Sequence, residues 1–76
     1  MKSLVEAFAR ALVDDPDRVR VDAWTEEGEL HLDLSVAPAD RGKVIGRRGR
    51  TADALRTLLE AAARRKGLVA DLEVVE

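Results

Sequence analysis

From Leu30 to Val36 the chain alternates without a break, with Leu30, Leu32, Leu34 and Val36 separated by His31, Asp33 and Ser35. A helix cannot sort that pattern onto one face. A strand can, because successive side chains of an extended chain point to opposite sides. The segment therefore predicts a strand with one aliphatic face, which needs neighbouring strands and a layer packed over it. Upstream, Val19, Val21 and Ala23 alternate with Arg20, Asp22 and Trp24, and Glu26-Glu27-Gly28 reads as the turn between. These two segments predict an antiparallel hairpin. Leu68 to Val75 reads as a closing strand, with Leu68, Ala70, Leu72 and Val74 on one face.

The covering layer is written at helical period. Val5, Phe8, Ala9, Leu12 and Val13 recur at i, i+3, i+4, i+7 and i+8, an amphipathic stripe. Ser3 with Glu6 has the spacing of a capping box at its start, and Asp14-Asp15-Pro16-Asp17 ends it. Pro38 suits a first helical turn, and Ala39 to Ile45 is long enough for about two turns. After Gly46-Arg47-Arg48-Gly49, the residues Ala52, Leu55, Leu58, Leu59, Ala62 and Ala63 mark a third helix to about Lys66, with Gly67 as its left-handed cap.

The order is helix, strand, strand, helix, helix, strand. Two helices between the second and third strands let those strands run parallel through a right-handed crossover. The expected fold is α+β in two layers, a three-stranded mixed sheet with the second strand central and all three helices on one face. Residues 1–76 form one domain, with no linker or repeat.

At 76 residues the core is small, and a partner subunit helps chains of this size. No cysteine is present, which excludes disulfides and thiolate metal sites, and His31 alone cannot build a zinc centre. No segment has the roughly 20 apolar residues of a membrane span, and the start lacks a signal-peptide pattern. The expectation is a cytoplasmic protein with no cofactor, no metal, no membrane association and no small-molecule substrate. No nucleophile–histidine pair or P-loop lysine is present either, so an enzyme is not expected.

Charge is segregated along the chain. Arg41 to Lys66 holds nine basic and two acidic residues, a net +7, while the remainder holds four basic and thirteen acidic, a net −9. One side should attract polyanions and the rest repel them. Three arginines crowd the turn Gly46-Arg47-Arg48-Gly49-Arg50. Glycines permit a sharp turn and close approach by another backbone, and a turn opening a helix offers N–H groups at the positive end of its dipole. The arrangement suits a phosphate, most naturally one from nucleic acid.

The run Val44-Ile45-Gly46-Arg47-Arg48-Gly49-Arg50 between two helices resembles the I-G-x-x-G signature of the KH domain, and the element order matches its type II form. Three stretches, Ala11 to Asp17, Leu34 to Gly46 and Gly49 to Arg56, resemble the small single-domain bacterial KH proteins of the KhpA family. One departure from the general KH pattern is Ala52, where many KH domains carry a larger aliphatic residue. The resemblance implies a GxxG loop that clamps about four nucleotides of single-stranded RNA by their backbone. Gly46 and Gly49 would admit the sugar-phosphate chain, N–H groups around Arg48 to Arg50 would meet phosphate oxygens, and Arg47 and Arg48 would add attraction and bidentate contacts. Lys43 and Arg50 would flank the loop. Val44, Ile45 and Leu55 are candidates for an apolar base groove, with core the favoured reading for Ile45. With few aromatic residues to stack on, sequence preference should be weak. Trp24 reads as a hairpin or interface residue, and His31 as an outward strand residue.

The resemblance also implies an RNA chaperone that forms a homodimer or associates with a larger KH protein, KhpB, and acts in cell elongation and envelope homeostasis. The alanine-rich helix Ala52 to Ala63 is compatible with close approach of a second copy. Two other readings compete: a KH-fold assembly module with little RNA binding of its own, and a helix-turn-helix DNA-binding module. The second would need base-reading side chains along its second helix, whereas here the arginines gather in the turn and at the far helix end.

Overall fold

The alternating Leu30–Val36 segment becomes the centre of the sheet. In the computed structural model, which describes residues 1–75, β1 spans Arg20–Glu26, β2 Glu29–Ser35 and β3 Val69–Val74, in the spatial order β1-β2-β3. β1 and β2 are antiparallel, with Val21 opposite Leu34 and Ala23 opposite Leu32. β2 and β3 are parallel, with Leu32 opposite Leu72 and Leu34 opposite Val74. The hairpin turns on Glu27 (φ 51°) and Gly28 (φ 81°). Two positive φ values in a two-residue turn match the right-handed twist of the flanking strands, so Glu26 stays in the ladder.

Three α-helices complete the chain: α1 at Lys2–Leu12, α2 at Arg41–Ile45 and α3 at Arg50–Arg65. They cover the aliphatic face of the sheet. Val5 and Ala9 of α1, Val44 of α2, and Leu55 and Leu59 of α3 are buried with Val21, Leu32, Leu34 and Leu72. Phe8 packs at the margin of this core. Ala52 is buried as well. Among the described residues no helix is long and apolar enough to cross a membrane.

Several boundaries differ from the sequence expectations. α1 begins at Lys2 with Met1 as its N-cap, and no side chain caps it. Ser3 therefore lies inside the helix, and the expected Ser3–Glu6 capping box does not form. Glu6 instead pairs with Arg10 one turn on, at 3.1 Å, an i,i+4 contact that competes for its carboxylate. A 3-10 turn at Pro16–Arg18 delays β1 to Arg20, although Val19 is still buried. A second 3-10 turn at Pro38–Asp40 splits the expected second helix, leaving α2 only five residues. The end of α3 follows expectation: Gly67 has φ 72°, its N–H reaches Arg64 O at 3.0 Å, and the Leu68 N–H reaches Ala63 O at 2.9 Å. This pair of bonds is a Schellman cap.

Candidate nucleic-acid interface

Three of the four residues of the turn between α2 and α3 have positive φ: Gly46 (77°), Arg48 (58°) and Gly49 (74°). The Gly46 N–H donates to Gly42 O at 2.9 Å, closing α2, and the Gly49 N–H donates to Gly46 O at 3.1 Å, closing the turn. The two glycines serve different ends. Gly46 combines φ 77° with ψ 173°, a region essentially reserved for glycine. A Cβ there would overlap Thr51 Oγ1 and stand 2.6 Å from Thr51 Cβ and 2.9 Å from Thr51 N. At Gly49 a Cβ would meet nothing within 4 Å. Gly46 is thus demanded by the packing of the turn, whereas Gly49 borders open space that another chain can enter. Arg48 is held left-handed without glycine's freedom, at a cost of roughly 1–2 kcal/mol.

Behind the turn α3 runs for 16 residues, and no side chain caps its N-terminus. The Gly49 and Arg50 N–H groups are already taken by Gly46 O and Arg47 O, and the positive end of the α3 dipole faces the turn. Arg47, Arg48 and Arg50 are all exposed, and none forms an ion pair among the described residues. Three uncommitted guanidinium groups therefore surround a helix N-terminus beside an open glycine. Chemically, this arrangement is suited to a phosphate.

Lys43 lies elsewhere in the electrostatic design. Its Nζ contacts Asp14 Oδ2 at 2.8 Å and Asp40 Oδ1 at 3.3 Å, and hydrogen bonds to these two carboxylates hold its pKa above the ordinary lysine value. Asp40 is 2 % exposed and receives the Asp14 N–H at 3.2 Å and the Asp15 N–H at 3.1 Å. Burial pushes its carboxyl up, but these two N–H bonds and Lys43 outweigh burial and leave it below the usual carboxylate value. The cluster ties the end of α1 to the start of α2, which carries the turn. Sequence reasoning missed Asp40 and Thr51, because both act through contacts that no local period encodes.

Of the three groove candidates, Val44 and Leu55 are core, each 2 % exposed, and Ile45 is 40 % exposed. The favoured core reading of Ile45 is therefore overturned. Neighbouring helical positions differ by about 100°, so burying Val44 turns Ile45 outward, next to Gly46. Arg56 of the basic segment is also committed, with Nε on Leu72 O at 3.1 Å and Nη1 on Asp53 Oδ1 at 3.0 Å. It clamps α3 to β3. Trp24 and His31 stand on the opposite face of the sheet from the helices, away from the turn.

The fold and turn agree with what known sequences indicate. The profile of the family described as "KhpA/KhpB, KH domain" matches residues 2–74. A protein of Halalkalibacterium halodurans named RNA-binding protein KhpA is 50 % identical over 76 residues, covering all of both chains. One of the same name from Clostridium acetobutylicum is 47 % identical over 75 residues, covering 99 % of this chain and all of its own. Another from Aquifex aeolicus is 46 % identical over 76 residues, covering all of this chain and 96 % of its own. With its helices, mixed sheet and GxxG turn in the order αββααβ, the chain belongs to the KhpA/KhpB family of KH domains.

Proposed function

We propose that the chain binds single-stranded RNA by its sugar-phosphate backbone, at the turn Gly46 to Gly49, with little sequence preference. The observation that carries this reading is the open space at Gly49, flanked by Arg47, Arg48 and Arg50 with no carboxylate partners among the described residues. A phosphate entering there meets the positive end of the α3 dipole and exposed guanidinium groups on either side. Ile45 supplies an apolar surface for a neighbouring base. Lys43 contributes at the edge of the site, since its ammonium already serves two carboxylates. The names of the full-length relatives support the choice of RNA as ligand.

Weak base reading joined to backbone grip suits a cytoplasmic RNA chaperone, which must hold many strands and release them. A second surface supports assembly. Ala54, Leu58 and Ala61 lie on one stripe of α3 and are exposed, Leu58 by 52 %. We assign this stripe to a homodimer or to a heteromer with a KhpB-type protein, and place the pair in cell elongation and envelope homeostasis.

Fluorescence anisotropy with a labelled 12-nucleotide single-stranded RNA, competed by unlabelled RNA or by duplex DNA, tests the reading. The expected result is stronger competition by RNA and at least a tenfold loss of affinity in Gly49→Asp, whose carboxylate occupies the phosphate position in a left-handed conformation that aspartate tolerates. Stronger competition by the duplex would overturn it in favour of a helix-turn-helix module. Equal binding by wild type and Gly49→Asp would remove the turn from the site.

A further inference from the structure

The outer face of the sheet has no part in the reading above. It carries the strand side chains that point away from the helices, and the register arranges them in rows. Asp22, Asp33 and Glu73 stand opposite one another across all three strands, and Glu26 stands opposite Glu29 at the hairpin end. Between these rows lie Trp24, His31 and Asp71. Like charges directly opposite in adjacent strands destabilise a sheet. Among the described residues no lysine or arginine pairs with Asp22, Asp33, Glu73, Glu26 or Glu29. Arg20, the only arginine or lysine in the outward positions of the three strands, turns back to the main chain, donating to Asp17 O at 2.8 Å and Val19 O at 3.0 Å.

The rows thus retain a local conflict that the isolated domain does not relieve. Sequences keep such conflicts where function requires them. An aromatic surface lies between them. Trp24 is 42 % exposed, and its ring stacks on His31 with centroids 5.5 Å apart and planes 23° apart. Glu29 and Asp71 each approach a His31 ring nitrogen to 3.8 Å. The outer face of the indole is therefore a flat platform between rows of carboxylates.

We propose that this face docks an arginine-rich, extended segment of a partner protein. Charge complementarity selects the occupant: the carboxylate rows require a cation, and the platform requires one that stacks. Guanidinium does both, pairing with carboxylates through its fork and lying flat on an indole, whereas ammonium is a compact, strongly hydrated point charge. RNA is repelled by the same carboxylates. The sheet face and the Gly46–Gly49 turn are separated by the core, so a peptide and an RNA bind together. The domain then bridges a nucleic acid to a basic protein.

The probe is a labelled (Arg-Ser)4 peptide, with (Lys-Ser)4 as the comparison, at low salt. Trp24 is the chain's single tryptophan, so its emission reports directly on this face. The expected result is saturable binding with a change in Trp24 emission, several-fold tighter for the arginine peptide. Asp22→Asn/Asp33→Asn/Glu73→Gln should weaken peptide binding at least tenfold without weakening RNA binding, and should raise the melting temperature, because like-charge rows are relieved. Trp24→Ala should reduce the arginine–lysine difference. A triple variant that binds the peptide as wild type does would overturn the proposal. So would salt-sensitive self-association that the triple variant abolishes without any peptide binding, since that assigns the face to a second copy. Gly49→Asp, which removes RNA binding, should bind the peptide normally, so failure here is distinguishable from failure of the RNA reading.

Discussion

Replacing Gly46 by alanine should damage the domain far more than the same change at Gly49, and the difference can be worked from the backbone. At Gly46 the pair φ 77°, ψ 173° costs a residue with a Cβ about 1–3 kcal/mol. The new methyl also overlaps the Thr51 side chain and lies 2.9 Å from Thr51 N. Overpacking of that kind adds about 1–3 kcal/mol, because the amide nitrogen belongs to the first turn of α3 and cannot rotate away. The sum is about 2–6 kcal/mol, against a total stability of roughly 4–11 kcal/mol for a chain of this length. At Gly49 the φ of 74° with ψ 10° is ordinary left-handed backbone with open space around it, and alanine costs about 1–2 kcal/mol. Since 1 kcal/mol moves the midpoint of a domain this size by about 4–8 °C, thermal unfolding followed by circular dichroism should show a drop of at least ~10 °C for Gly46→Ala and a smaller one for Gly49→Ala. Adding Thr51→Ala to Gly46→Ala should recover only a small part of the loss, because it removes the Oγ1 overlap and leaves the contacts with Cβ and N of residue 51. Equal losses at the two glycines would refute the geometry assigned to the turn.

The Asp40 cluster makes stability depend on pH at both ends. The Asp40 carboxyl is held below its ordinary value of 3.8, so its contribution is complete above that value and is lost as pH falls through the lower folded value; denaturant titrations should show an acid limb that Asp40→Asn flattens. Lys43 is held above 10.5, so its contribution is complete below that pH and disappears as pH rises through the folded value, a limb that Lys43→Met should remove. Leu32→Ala, at a side chain 1 % exposed in the central strand, should cost about 2–5 kcal/mol in urea unfolding. Leu58→Glu places a charge on the exposed stripe of α3, and sedimentation equilibrium should show a monomer that still binds RNA; a dimer unchanged by it would move the interface elsewhere.

The sheet was legible because its signal is local. Leu30 to Val36 carries its own period, and its position between a short hairpin turn and a two-helix crossover placed it at the centre with the correct neighbours. Gly67 was legible for a similar reason, since a Schellman cap depends on the residues next to it. The start of α1 was misread because Ser3 and Glu6 have the spacing of a capping box, while Arg10, one turn beyond Glu6, takes the carboxylate. Ile45 was misread because a helix of five residues is too short for its period to say which of two adjacent aliphatics points inward. The turn was legible in composition and in place, but the unequal duties of Gly46 and Gly49 depend on where Thr51 folds back. Lys43 counted as a loop cation in the sequence; its partner Asp14 lies 29 residues away, a separation that only tertiary structure closes.

The central claim is that phosphates are gripped by the arginines of the Gly46–Gly49 turn at the start of α3, and its most direct test is the salt dependence of RNA affinity. Each phosphate neutralised on a single strand contributes about −0.7 to the slope of log K against log salt, so three contacts give a slope of roughly −2. Wild type should show that slope, and Arg47→Ser/Arg48→Ser should bring it to roughly −1 or shallower with the melting temperature preserved or raised. A wild-type slope near zero, or one that the double substitution leaves unchanged, would contradict the account.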